Sequence, residues 1–208
     1  MWNELIKRRP ELAVCEASVK EAFEIIKNCY QKGGKLILCG NGGSAADCDH
    51  IVGELMKDFL IRRPLSEKQR EDMSQRVPTI DKEMLDTLQL GLPAISLPSI
   101  TGFNTAFCND RNPELLYAQG VLALAKENDV LIAISTSGNA KNVYHAAEVA
   151  RGIGVAVVGL TGETGGALLP LCSACVCVPE RETYKIQELH LPVYHALCAD
   201  VEEHFFSE

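Results

Sequence analysis

The sequence contains no apolar run that approaches the roughly 18–20 residues a membrane-spanning helix needs. Its first residues, MWNELIKRRPEL, interleave charges where a secretory signal peptide has its apolar core. Basic blocks are also scarce, since the densest is Arg62-Arg63 and the net charge is −8. This acidic balance argues against a general binder of nucleic acids or membrane surfaces. We therefore expect a cytoplasmic protein with neither kind of partner.

Two common nucleotide-binding motifs are missing as well. The chain has no Gly-x-x-x-x-Gly-Lys loop. The segment Gly40-Asn41-Gly42-Gly43-Ser44 does not follow the Gly-x-Gly-x-x-Gly spacing of a dinucleotide site, so we do not expect a Rossmann dehydrogenase. The nine cysteines are odd in number and lie mostly in apolar stretches, which favours reduced thiols over a disulfide framework.

Short apolar segments alternate with helical patterns along the 208 residues. Five of these segments are apolar enough to be buried strands, at residues 35–39, 93–97, 129–134, 155–160 and 175–178. Fully apolar strands that alternate with helices indicate a parallel sheet covered on both faces. We therefore predict a single α/β domain over residues 1–208, a three-layer sandwich with a roughly five-stranded parallel sheet between helices.

Three stretches outside the sheet carry predictions of their own. Apolar residues recur at helical spacing over 11–31, so we expect a long N-terminal helix within about residues 1–31. The final segment, 182–206, has a helical pattern that we expect to be interrupted near Pro192. Residues 57–90 are polar and charged, and we expect a solvated helical excursion or a lid-like segment there.

The turn Ser135-Thr136-Ser137-Gly138-Asn139 stands between a predicted strand and a predicted helix. Three hydroxyls and a flexible backbone directly before a helix can bind an anion, because backbone N–H groups and the positive end of the helix dipole face it. The alternative is an ordinary Ser/Thr helix cap. The Gly40–Ser44 turn follows another strand and belongs to the same edge, where parallel sheets bind ligands.

A second group of polar residues lies on two predicted helices. His50 and Glu54 are four positions apart and share a helix face. Gln187 and His195 are eight apart, about two turns, and point broadly the same way. If they met, these side chains would offer nitrogen and oxygen ligands for a divalent metal such as Zn²⁺, or an acid–base pair near neutral pH. By spacing alone, an exposed His–Glu pair is the commoner explanation.

Five segments carry a family resemblance when taken together: CGNGGSAADCDHIVGEL (39–55), ND (109–110), ISTSGNAKNV (134–143), LTG (160–162) and KIQELHLPVYH (185–195). They resemble the SIS (sugar isomerase) domain, and within it the sedoheptulose 7-phosphate isomerases. The resemblance implies a flavodoxin-like SIS fold. It also implies an aldose–ketose isomerase that converts sedoheptulose 7-phosphate to D-glycero-D-manno-heptose 7-phosphate.

The resemblance further implies roles for single residues. The substrate-binding residues would be Asn41, Gly42, Gly43, Ser44, Glu54, Asn109, Asp110, Ser135, Thr136, Ser137 and Gln187. The zinc ligands, as in some family members, would be His50, Glu54, Gln187 and His195. Glu54 and His195 would be the general base and acid. A homotetramer with active sites between subunits is implied too, with the N-terminal helix at the subunit interface.

Two features depart from the family pattern. Ala140 stands where many members have a further phosphate-binding serine. The 57–90 segment is longer than its family counterpart, and Lys57 or Asp58 falls near a position usually held by arginine. Both features leave open an isomerase or binder of another phosphosugar. A non-catalytic SIS protein, like the relative that associates with a replication initiator, is a further alternative, although the presence of Glu54 and His195 argues against it.

Overall fold

A computed structural model of the chain describes residues 1–207. Its centre is a five-stranded sheet in which every neighbouring pair is parallel, with the order β2-β1-β3-β4-β5. The strands are β1 (Leu36–Cys39), β2 (Ala94–Ser96), β3 (Val130–Ile134), β4 (Ala156–Thr161) and β5 (Ala174–Cys177). The predicted α/β fold and all five predicted strands are confirmed.

Helices cover both faces of this sheet. The α-helices are α1 (Trp2–Arg8), α2 (Glu16–Gln31), α3 (Gly43–Met56), α4 (Glu67–Arg76), α5 (Lys82–Thr87), α6 (Thr101–Asp110), α7 (Leu116–Leu124), α8 (Lys141–Gly152) and α9 (Thr183–Phe206). Short 3-10 helices occupy Pro10–Cys15, Leu97–Ser99, Pro113–Leu115 and Gly166–Leu171. Over residues 1–207, no helix has both the length and the apolar character needed to span a membrane.

Two apolar clusters form the core because successive strand residues point to opposite faces. In β1, Leu36 and Leu38 pack with α2, α3 and α9, whereas Ile37 and Cys39 pack with α7 and α8. The sheet is therefore the middle of three layers, as the apolar strands predict.

The two terminal helices differ from their sequence-based predictions in different ways. The helix predicted over 11–31 is present, but it begins as a 3-10 helix before continuing as α2, and α1 precedes it as a separate segment. The break falls at Arg9 because Pro10 disfavours helical backbone in the residue before it. The predicted interruption near Pro192 is wrong, since α9 is continuous. Its long buried face outweighs the hydrogen bond that proline removes, and Glu188, whose carbonyl loses that partner, is exposed.

The 57–90 segment contains the two helices α4 and α5. An antiparallel bridge between Pro64 and Gln89 joins the two ends of the segment where it leaves the domain. We call this bridge the neck. The backbone N–H of Leu90 donates to the Arg63 carbonyl at 2.7 Å, and the Gln89 side chain accepts from the Arg63 N–H at 2.7 Å. The segment thus leaves and re-enters the domain at one point.

One helix has no counterpart in the sequence-based prediction. Residues 101–110, TGFNTAFCND, form α6, although the segment contains a glycine, two asparagines and no buried residue. Its apolar residues Phe103 and Phe107 lie one turn apart, with ring centroids 5.8 Å apart and planes tilted by 44°. They pack only partly buried against the second core cluster, which explains why the apolar pattern is weak.

Candidate functional site

The two polar turns lie side by side at the carboxyl edge of the sheet. They follow β1 and β3, which are neighbours, with Cys39 opposite Ala133. In an open sheet of this order the ligand crevice lies between these two strands. The amides of Asn41, in the first turn, and Asn142, at the start of the helix that follows the second, are joined by two hydrogen bonds of 2.9 Å. This juxtaposition creates one polar edge from two distant parts of the chain.

Close packing fixes the first turn. Gly42 has a φ of +55°, and α3 begins at Gly43. The Tyr117 hydroxyl donates to the Gly40 carbonyl at 2.7 Å. A Cβ on Gly43 would lie 2.3 Å from the Gln187 amide nitrogen, so any larger residue there would displace the Gln187 side chain. The turn therefore meets Gln187 of α9 at the N-terminus of α3, where the predicted substrate residue Ser44 is buried.

The serine turn is held by backbone contacts on both sides. The Ser135 N–H donates to the Leu160 carbonyl at 3.0 Å, and the Gly138 carbonyl accepts from the Leu168 N–H at 3.0 Å. Gly138 has a φ of +65°, and a Cβ there would lie 2.0 Å from the Gly165 carbonyl oxygen. The conformation of this turn consequently requires glycine at residue 138.

The hydroxyls of the serine turn are engaged to different degrees. Ser137 Oγ accepts from the Asn139 N–H at 3.1 Å. Within residues 1–207, the hydroxyls of Ser135 and Thr136 form no hydrogen bond to another protein group. Helix α8 starts directly after Ala140, which supplies no side-chain cap. Free hydroxyls therefore stand before an uncapped helix N-terminus, an arrangement that suits an anion.

Three residues from the second predicted group meet between α3 and α9. His50 Nε2 lies 3.1 Å from Glu54 Oε1 and 3.3 Å from His195 Nε2. One ligand atom from each residue lies within 4.8 Å of the others. The His50 side chain is 42% exposed and that of Glu54 is 13% exposed, so an ion or substrate can reach them. We call His50, Glu54 and His195 the His–Glu cluster.

Gln187 lies apart from this cluster. Its amide packs against Gly43, and it stands eight positions from His195 along α9, about 12 Å along the helix axis. Asn109 and Asp110 lie exposed at the end of α6, where Asn109 Nδ2 donates to Asp110 Oδ1 at 2.8 Å. The predicted roles of these three residues stay predictions.

The environment of the cluster affects the protonation of His195. Partial burial lowers its pKa below the ordinary histidine value, and neighbouring His50 lowers it further. The carboxylate of Glu54 opposes both effects. The imidazole is therefore biased toward its neutral form, which can accept a proton or bind a metal.

Two side chains behind the cluster are absent from the sequence-based prediction. The Tyr194 hydroxyl donates to Asp47 Oδ1 at 3.2 Å and lies 3.0 Å from His50 Nδ1. Burial raises the pKa of Tyr194, as does the adjacent Asp47 carboxylate, so the phenol keeps its proton. Asp47 precedes His50 by three positions, and this helical spacing is the one sequence signal for the contact.

Arg63 is a second omission from the sequence-based prediction. It lies in the charged segment, yet its side chain and that of Glu202 are both fully buried, with Nη2 2.7 Å from Glu202 Oε1. Arg63 also donates from Nη1 to the Leu55 carbonyl at 2.7 Å and from Nη2 to the Glu54 carbonyl at 3.2 Å. Because these carbonyls belong to the last turn of α3, the guanidinium caps the helix that carries Glu54.

Comparison with known proteins gives this geometry a family. Profiles of the SIS domain match residues 106–199 and, separately, residues 8–79. The phosphoheptose isomerase of Aneurinibacillus thermoaerophilus is 38% identical over 195 residues, which cover 94% of this chain and 83% of that protein. The phosphoheptose isomerase of Roseiflexus sp. is 39% identical over 203 residues, 98% of this chain and 89% of that protein. The chain belongs to the phosphoheptose isomerase family.

Solved structures of this family share the fold. The phosphoheptose isomerase of Neisseria gonorrhoeae superposes with a TM-score of 0.75 at 29% identity, covering 97% of this chain and 95% of that one. The enzyme of Francisella tularensis gives a TM-score of 0.77 at 27% identity, covering 97% and 94%. The predicted SIS fold, family and enzyme class are thereby confirmed.

Proposed function

We propose that this chain isomerises sedoheptulose 7-phosphate to D-glycero-D-manno-heptose 7-phosphate. The observation that carries the proposal is the contact of Glu54 and His50, on α3, with His195, on α9. These helices are far apart in the sequence, so only the packing of the fold brings the three side chains together. A carboxylate beside two imidazoles supplies the base and acid that aldose–ketose isomerisation requires. The names of the family members supply the substrate class.

The serine turn would hold the phosphate. Ser135 and Thr136 would donate their hydroxyl protons, and the first N–H groups of α8 would complete the binding site. Lys141 at the start of α8 is paired with Glu114 at 2.9 Å, so the helix N-terminus keeps little net charge of its own. The backbone and hydroxyls would therefore contribute most of the binding.

Moving the carbonyl between C1 and C2 requires removal of a proton next to the carbonyl and its return one carbon away. We assign the carbon-bound proton to Glu54, which takes it from one carbon and returns it to the other. His195, which starts neutral, would take the proton of the neighbouring hydroxyl and deliver one to the carbonyl oxygen, so the imidazole ends as it began. The enediol intermediate then collapses with no net gain or loss of protons.

Two of the three pairs of ligand atoms in the His–Glu cluster have the spacing of a zinc site. Ligand atoms in a tetrahedral site with bonds of about 2.0–2.1 Å lie about 3.3 Å apart. The two imidazole nitrogens are 3.3 Å apart, and His50 Nε2 and Glu54 Oε1 are 3.1 Å apart. His50, Glu54 and His195 would hold the ion, whereas Gln187, the fourth ligand that the family resemblance implies, packs against Gly43 and would have to move to join them. Such an ion would supply Lewis-acid stabilisation of negative charge on the substrate oxygen.

The test is an isomerisation assay on purified protein with and without added Zn²⁺. Glu54→Gln and His195→Ala should each lower kcat by about 10²–10⁴-fold, because general acid–base catalysis contributes that much. Glu188→Gln is the matched control, since Glu188 is an exposed carboxylate on the same helix as His195. Wild-type protein that binds metal but turns over no ketose phosphate would refute the proposal.

A different phosphosugar is the second candidate substrate. Ala140 offers no hydroxyl at the start of α8, which removes a possible phosphate contact and favours a change of affinity or identity. Thermal-shift measurements with C5, C6 and C7 sugar phosphates, each with Zn²⁺ and with a chelator, would rank the candidates. The largest stabilisation by a C5 or C6 compound would favour the alternative.

We further propose that the chain acts as a single SIS domain in a homotetramer, with the N-terminal helix at the interface and the active sites between subunits. Mixing Glu54→Gln with the double variant Ser135→Ala/Thr136→Ala, once each is shown to be inactive alone, tests this arrangement. If the serine turn and the His–Glu cluster of one site come from different subunits, random mixing restores about one quarter of the sites. Sites formed within one chain would give no recovery.

A further inference from the structure

The contact between Tyr194 and His50 has consequences for the proton on His50. Tyr194 is 2% exposed, and its hydroxyl lies 3.2 Å from Asp47 Oδ1 and 3.0 Å from His50 Nδ1. The ring centroids of Tyr194 and His50 are 5.5 Å apart with planes at 73°, so the hydroxyl meets the nitrogen edge of the imidazole. One phenol oxygen therefore links a carboxylate to a candidate metal ligand.

Counting protons fixes the direction of this link. A tyrosine hydroxyl has one proton, and an ionised carboxylate can only accept. With Asp47 ionised, the Tyr194 proton points to Asp47, and the phenol oxygen offers its lone pair to His50. Only a protonated Nδ1 can use that lone pair. We propose that Asp47 and Tyr194 are positioning residues that hold His50 in the Nδ1–H tautomer and leave Nε2 as a bare ligand atom for a divalent cation.

The Glu54 carboxylate cannot satisfy this bare nitrogen, and its other neighbour, His195 Nε2 at 3.3 Å, can do so only in its own Nε2–H tautomer. His50 Nε2 lies 3.1 Å from Glu54 Oε1, and two lone pairs at this distance repel each other. A cation between them removes the repulsion. In the opposite tautomer, Nε2–H would donate to Glu54 and a metal would have to displace that proton. We call the chain from Asp47 through Tyr194 to His50 the relay. It thereby raises metal affinity, as hydrogen-bond partners of histidine ligands do.

This inference rests on the metal site of the proposed function and extends it to residues that touch neither metal nor substrate. The experiment measures Co²⁺ and Zn²⁺ affinity of the metal-stripped protein, without any sugar. Tyr194→Phe should weaken binding by about 10–100-fold. Tyr30→Phe is the matched control, because the Tyr30 hydroxyl is also buried but donates to the Pro93 carbonyl at 3.3 Å. The control should change affinity less than about twofold.

A double-mutant cycle tests whether the two residues act in series. Asp47→Ala should weaken metal binding in the wild-type background and add little once Tyr194 is phenylalanine. Fully additive effects would overturn the relay. So would a Tyr194→Phe variant that binds metal as tightly as wild type.

Nitrogen-15 NMR of the metal-free protein at pH 7.5 reports the tautomer directly. The expected spectrum shows His50 protonated on Nδ1 alone, and an Nε2–H or doubly protonated ring would overturn the proposal. These measurements separate the two hypotheses. An inactive wild-type protein with an intact relay would refute the proposed isomerase activity only, whereas an active protein whose Tyr194→Phe variant keeps full metal affinity would refute the relay only.

Discussion

Glu202→Gln should destabilise the fold by about 3–5 kcal/mol, because it leaves the buried Arg63 guanidinium without its counter-charge. The carboxylate also accepts from the N–H groups of Phe59 and Leu60 at 2.8 and 2.7 Å. Glutamine replaces one accepting oxygen with a donating NH₂ group, so a donor would face a donor in the buried site. For a chain of this length, this loss corresponds to a fall in Tm of about 6–20 °C.

Urea unfolding followed by circular dichroism measures this loss, at one fixed protein concentration because subunit assembly would shift the midpoint. Arg70→Gln is the control, since it breaks the exposed pair with Asp86 in the same segment and should cost less than about 1 kcal/mol. A Glu202→Gln variant within 1 kcal/mol of wild type would refute the reasoning.

The same pair has a predictable pH dependence. Burial alone would raise the pKa of Glu202, but the Phe59 and Leu60 amides and Arg63 outweigh it and hold the pKa below the ordinary value. A lowered folded-state pKa stabilises the protein above the unfolded-state pKa, and that stability is lost as the pH falls through the folded-state pKa. The difference between wild type and Glu202→Gln should therefore shrink in acid.

Three further changes probe other parts of the molecule. Burial lowers the pKa of His190 to about 4. The free energy of unfolding should therefore fall as the pH drops from 6.5 toward 4, by about 3 kcal/mol in total. Urea titrations should show this loss in wild type but not in His190→Gln. Gly138→Ala should destabilise the fold by more than about 2 kcal/mol and weaken phosphate binding in calorimetry, because its methyl group would lie 2.0 Å from a backbone oxygen. Gly102→Ala is the control, since a methyl group there meets no atom within 4 Å. It should be neutral or stabilise the fold by up to about 1 kcal/mol. Tyr117→Phe removes the hydroxyl that donates to the Gly40 carbonyl and so loosens the first turn. It should raise KM for the sugar phosphate about 5–10-fold, with a smaller change in kcat. An unchanged KM would contradict a role of Tyr117 in positioning that turn.

The strands and their edge could be predicted from the sequence because each strand is buried on both faces. Such burial produces continuous apolar runs such as 130–134, and glycine-rich turns mark where they end. His50 and Glu54 could be paired on one helix face from the 3.6-residue period alone. The meeting of that face with His195 depends on how two helices pack, and only the family resemblance anticipated it.

Arg63 and Tyr194 escaped prediction for physical reasons that differ. Arg63 stands in a charged stretch, where solvated side chains are the rule, and its burial depends on Glu202, which is 139 positions away. Tyr194 follows the apolar stripe of α9, and its hydroxyl finds Asp47 only because α3 packs against that stripe. A single polar atom on a buried aromatic side chain leaves no periodic trace in a sequence.

The neck at Pro64 and Gln89 separates a segment whose length can change from the domain that holds the His–Glu cluster. Both ends of the intervening stretch leave the domain side by side, so doubling its length would add only about 0.6 kcal/mol of closure entropy. Arg63 stands immediately before the neck and is fixed by its burial. Descendants of this chain can therefore lengthen, shorten or replace the helices beyond the neck as one unit. The His–Glu cluster, on the other side of Arg63, keeps its position.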